Sequence, residues 1–143
     1  MRFLNIGTGL AALVGGCSGG GLTAPGVLKD GVLHYSASSL QGTELLAGSL
    51  RLAVHADSTV TGTWQIDWVA GADTTAPVGP QVGHGTLSGR QIADGSVQLN
   101  LNPFYADNNV FLSATVTVAG LSGVWSWSGF AGPIANGRFQ AAF

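Results

Sequence analysis

The chain has 143 residues, room for one domain, with five Lys and Arg against seven Asp and Glu and a formal net charge of −2. Charged residues are only 8%, whereas 45% are hydrophobic and four are tryptophan, a balance that excludes a largely disordered chain. No basic patch is present to neutralise a phosphate backbone, which argues against nucleic acid as a partner.

Met1-Arg2 opens with one positive charge, residues 3–14 carry none, and Gly15-Gly16-Cys17-Ser18 follows. A positive start, an apolar stretch and small residues ahead of a cut are the parts of a secretory signal. The stretch is about a dozen residues, too short for a hydrocarbon core that takes about twenty. Leu13-Val14-Gly15-Gly16-Cys17 resembles the lipobox of bacterial lipoproteins. The resemblance implies a signal peptide over 1–16, cleavage just before Cys17, and diacylation of its sulfur, usually with a further acyl chain on the new N-terminus. It also implies a protein of the bacterial cell envelope that is lipid-anchored to a membrane through Cys17. An aspartate after the cysteine often marks inner-membrane retention in that family. Ser18 there points to the outer membrane, on its periplasmic or surface side, in a cell that has one.

Cys17 is the only cysteine, so no internal disulfide forms, and lipidation accounts for its place. Residues 17–30 then read as the lipidated cysteine and a Gly-, Pro- and Ser-rich flexible tether, which reaches roughly 20 Å on average.

From residue 31 to 143 the period is two. Val60, Gly62, Trp64, Ile66 and Trp68 alternate with Thr59, Thr61, Thr63, Gln65 and Asp67. The same alternation runs through 97–102, 110–118 and 121–128, and further strands are expected at 32–38, 49–55, 84–90 and 138–143. Such alternation marks strands with one dry face and one wet face. Turn signals fall between them, among them Asp57-Ser58, Asp94-Gly95, Asp107-Asn108-Asn109, Ala119-Gly120 and Asn136-Gly137. The fold class is therefore all-β, an antiparallel up-and-down meander of about eight strands. Closure into a small barrel removes exposed edges, and a two-sheet β-sandwich is the alternative.

Thr61-Gly62-Thr63-Trp64 and Ser122-Gly123-Val124-Trp125 echo each other, with Leu87-Ser88-Gly89 as a partial third copy. A glycine on the apolar side either lets a neighbouring indole lie on bare backbone or marks a bend. Gly62-Thr63-Trp64 also resembles the Gly-x-Trp of lipocalin and avidin-like barrels, which implies a barrel that takes a small apolar ligand.

Trp64, Trp68, Trp125 and Trp127 all project from the apolar face. They are candidates both for an aromatic ligand pocket and for the barrel core, where four such rings contribute on the order of 15–25 kcal/mol before entropy. Residues 70–83 form a long irregular connection, and Asn102-Pro103-Phe104-Tyr105 places two aromatics outside a clean strand. Loops of such length are often functional, so Phe104 and Tyr105 join the candidate ligand contacts.

His34, His55 and His84 show no metal-ligand spacing, and Asp67 has no carboxylate partner for acid–base work. No Gly-x-Ser-x-Gly elbow, phosphate loop or Cys-His pair occurs, so neither a catalytic residue, a metal nor a cofactor is assigned. The expected function is non-enzymatic: a membrane-anchored envelope lipoprotein whose barrel binds a small apolar or amphiphilic ligand. The alternative is a structural or interaction module with a filled barrel that contacts another envelope component.

Overall fold

A computed structural model describes residues 26–143. The expected signal peptide, residues 1–16, and Cys17 lie outside the described residues. Eight strands run β1 (Gly31–Ser38), β2 (Glu44–Val54), β3 (Thr59–Trp68), β4 (Gly83–Gln91), β5 (Ser96–Asn100), β6 (Asn108–Thr117), β7 (Gly120–Gly129) and β8 (Gly132–Ala142). Each pairs antiparallel with the next and β8 returns to β1, so the sheet closes into an up-and-down barrel and not a sandwich.

The alternation sets the inside. Leu33, Leu46, Leu50, Val60, Ile66, Leu99, Leu112 and Trp125 point inward and are fully buried, while the Ser, Thr and Gln residues between them face out. Stripping water from that inner face is the main stabilising term, since each fully buried aliphatic side chain contributes about 1.5–3 kcal/mol.

Two strands are longer than the sequence pattern suggests. β2 begins at Glu44 instead of residue 49, and β8 begins at Gly132 instead of residue 138. Asn136-Gly137 is therefore not a turn. Gly137 sits mid-strand because the Trp125 indole lies over it: a Cβ there would fall 2.5 Å from Trp125 Nε1 and closer still to the Ser38 carbonyl. The chain reverses at residues 130–131, between β7 and β8.

The repeated glycines resolve into two uses. At Gly62 and Gly123 a Cβ would strike the backbone of the neighbouring strand, at Arg51 and Ser113 respectively, so these positions permit close strand approach. Indoles rest on other glycines: Trp64 on Gly85, Trp125 on Gly137 and Trp127 on Gly79.

We call the end that carries the β1–β2, β3–β4, β5–β6 and β7–β8 connections the upper end. The lower end holds residues 55–58, 92–95 and 118–119, together with the chain's entry and Phe143. Residues 26–30, the last part of the expected tether, lie across this lower mouth. Leu28 is buried there, its backbone N–H donating to Gln91 Oε1 at 3.1 Å. Gln91 Nε2 donates in turn to the Gly26 carbonyl at 2.9 Å, and Val54 N–H donates to Asp30 Oδ1 at 2.6 Å.

Three turns share one device. Asp57, Asp73 and Asp94 each accept, on Oδ1, the backbone N–H and the hydroxyl of the residue two places on. Those partners are Thr59, Thr75 and Ser96, with hydroxyl distances of 2.6 Å in all three. A carboxylate bonded in this way mimics a backbone turn and fixes the reversal. The same bonds hold all three carboxyls below the usual aspartate value.

Candidate functional site at the upper mouth

The four tryptophans divide into two pairs. Trp64 and Trp125 belong to the core. Trp64 Nε1 donates to the Leu101 carbonyl at 2.7 Å and the Thr86 carbonyl at 3.2 Å. β4 meets β5 only over Ser88–Gln91, and the Trp64 indole bridges the wall above that short ladder. Trp125 does the same at the opposite seam, donating from Nε1 to the Ser38 carbonyl at 3.1 Å, at the last β1–β8 pair, Ser38 with Arg138. Both rings are thus fillers whose one polar atom donates to a backbone carbonyl at the end of a strand ladder.

Trp68 and Trp127 are half-buried at the upper rim, packed against the core from its edge. They face the same open depression of about 460 Å³, together with Pro77, Gly79, Pro80 and Val82. Trp127 Nε1 donates to Asn108 Oδ1 at 2.8 Å, which fixes the ring.

The β3–β4 connection, residues 69–82, is a stopper. Val78 is buried and Gln81 is fully buried, an unusual place for an amide. Gln81 accepts the Tyr35 hydroxyl on Oε1 at 2.9 Å and donates from Nε2 to the Val78 carbonyl at 2.7 Å. Tyr35 stacks on Phe139 with ring centroids 5.7 Å apart, so its phenol stands inside the barrel and points up at the loop. Burial pushes that phenol above its ordinary value, so it stays a neutral donor. Every buried side-chain polar atom among the described residues has a partner. The barrel is filled, and its upper mouth is closed by a hydrogen-bonded plug.

Phe104 and Tyr105 lie on the β5–β6 connection and are 85% and 61% exposed. They share the upper end with Trp68 and Trp127 but do not line the same depression. Their loop is nonetheless pinned. Asn109 Nδ2 donates to the Tyr105 carbonyl at 2.8 Å, and Asn102 Nδ2 donates to the Asn108 carbonyl at 2.7 Å. Asn100 Nδ2 completes the set by donating to Asn109 Oδ1 at 2.8 Å. Phe130, 95% exposed at the β7–β8 reversal, and the exposed Ile134 and Leu40 stand at the same end.

The polar candidates stay apart. His55 Nε2 bonds Thr61 Oγ1 at 2.8 Å on the outer face near the lower end. His34 and His84 lie on one outer row, separated by Ser49 and Gln65. Asp67 accepts the backbone N–H of Trp68 at 2.8 Å. Among the described residues, no group of three His, Cys, Asp or Glu is close enough to hold a metal ion.

Sequence reading missed Tyr35, Gln81 and the asparagines that pin residues 101–109. Tyr35 was legible as inward-facing by its period, between Leu33 and Ala37. Gln81 carried no such signal, since a loop has no period and its amide is defined by a partner 46 residues away.

The molecule is thus defined as a small, closed and filled antiparallel barrel with an aromatic upper rim. Comparison with protein-family models, with curated proteins and with solved structures gave no match.

Proposed function

We propose that this chain is a lipid-anchored protein of the bacterial envelope whose barrel is a non-catalytic interaction module, working through its outer surface and upper rim. The observation that carries this reading is the filled interior. Leucine, valine and tryptophan side chains occupy the barrel, the Tyr35–Gln81 plug covers one mouth and Leu28 the other. A barrel that holds a ligand inside needs empty space and an entrance, as pockets for small molecules usually measure about 300–1,000 Å³. The pinned loop bearing Phe104 and Tyr105 favours the same reading, because rigid exposed aromatics give contact area at low entropic cost.

A second reading is favoured by the depression between Trp68, Trp127 and residues 77–82. A small apolar or amphiphilic molecule resting there would be held on the rim, outside the barrel. Native mass spectrometry of the mature protein separates the two. The module reading expects a mass of protein plus acyl chains alone, with tryptophan fluorescence indifferent to added lipids and detergents. A stoichiometric small molecule, released by Trp127→Ala, overturns it in favour of the rim site.

The anchor rests on the lipobox resemblance at Cys17 and on its position ahead of the domain. In a host that processes lipoproteins, Cys17→Ala abolishes incorporation of labelled palmitate and leaves the precursor uncut. Labelling that persists in that variant refutes the anchor.

A further inference from the structure

We infer that the lower end of the barrel rests on the bilayer, so that the aromatic upper rim faces away from the membrane that holds the anchor. This rests on the anchor reading above, and three observations carry it further.

The chain enters the described domain at the lower end, where residues 26–30 are bonded across the mouth through Gln91 and Val54. The stretch from Cys17 to Gly26 can span at most roughly 30 Å, even fully extended. An acylated Cys17 therefore holds this end of the barrel nearest the headgroups. The upper end is a barrel's height further off.

The lower end is also apolar at its tips. Val27 is 72% exposed, Val118 at the β6–β7 reversal is fully exposed, and Ile92 and Phe143 are about half exposed. Val27, Val118 and Phe143 border an open depression of about 730 Å³ with Val116 beside them. The upper end exposes apolar side chains as well, Phe104 and Phe130 among them, so it is the chain's entry that selects the lower end and its apolar tips that give that end something to bury.

Charge does not drive the contact. Lys29 stands at the same depression as Asp30 and Asp94, with Asp57 on the β2–β3 turn and Arg90 near the lower end of β4. The mixture is close to balanced, so anionic lipid gives no advantage. The tips alone bind weakly, and the acyl chains turn that weak contact into an intramolecular one.

The test uses the acylated full chain, because lipid on the Cys17 sulfur leaves one introduced thiol free for labelling. Val118→Cys and Phe130→Cys are each labelled with an environment-sensitive dye and reconstituted into phosphatidylcholine vesicles with brominated acyl chains. The Val118 dye shifts blue and loses at least half its emission to bromine, the Phe130 dye changes by less than a tenth, and neither result moves with 20% anionic lipid. Equal quenching at both positions, or quenching at residue 130 only, overturns the orientation. Mass spectrometry keeps the two readings distinct. A chain without acyl groups overturns the anchor and the orientation with it, whereas an acylated chain whose Val118 dye stays in water overturns the orientation alone.

Discussion

Tyr35→Phe removes one oxygen from the barrel interior and tests whether the upper plug is held as described. The change leaves Gln81 Oε1 without its donor, on a side chain fully shielded from water. An orphaned buried acceptor of this kind costs about 1–3 kcal/mol. Gln81→Leu is worse, since it orphans both the Tyr35 hydroxyl and the Val78 carbonyl, and about 2–5 kcal/mol is expected. In the double variant the tyrosine hydroxyl no longer exists to be orphaned, so the loss falls short of the sum by about 1 kcal/mol or more. Urea unfolding followed by tryptophan fluorescence reads these values. With a slope of about 1.5 kcal/mol per molar, Tyr35→Phe moves the midpoint down by roughly 1 M. The alkaline limb gives an independent check. Burial raises the folded-state phenol above the ordinary value of 10.0, so the folded chain keeps a proton that the unfolded chain releases. Its contribution is full below pH 10 and falls as pH rises from there, by about 1.4 kcal/mol per pH unit, and Tyr35→Phe removes that component. A midpoint shift under about 0.2 M, or strict additivity in the double variant, refutes the plug as an energetic unit.

Two further changes probe the wall and the turns. Gly137→Ala forces a methyl against the buried Trp125 indole and the Ser38 backbone carbonyl. Overpacking of this kind costs about 1–3 kcal/mol, and calorimetry should show Tm lowered by roughly 5–15 °C. The carboxyls of Asp57, Asp73 and Asp94 are held below their ordinary value by the hydroxyl and N–H they accept. Their contribution is present above the unfolded value of 3.8 and is lost as pH falls through the lower folded values. Replacing all three by Asn keeps the turns but flattens the acid limb below about pH 4 in stability-against-pH measurements; an unchanged limb contradicts the assignment.

The strands were legible because a barrel with a dry inside and a wet outside imposes a strict period of two, and 59–68 obeys it without exception. Closure followed from the number of strands and the tightness of their turns. The boundaries failed where the rule had a competing reading. Asn136-Gly137 has the composition of a turn, yet Gly137 serves an indole 12 residues earlier in the chain, and local sequence holds no sign of that. Trp64 and Trp68 look alike on one strand, and what separates them is height in the barrel. Residue 64 has a wall of carbonyls around it, while residue 68 has only the loop of residues 69–82. The depth of that loop could not be read either, since it depends on one amide meeting one phenol across the top of the barrel.

The seam between β1 and β8 has a consequence in time. His34 pairs with Ala142 and Ser38 with Arg138, so the first strand of the domain waits for the last. A pairing this distant along the chain is found slowly, and until then β1 offers its backbone to any passing strand. A newly made copy is therefore most vulnerable to sticking to its neighbours in the interval before β8 arrives.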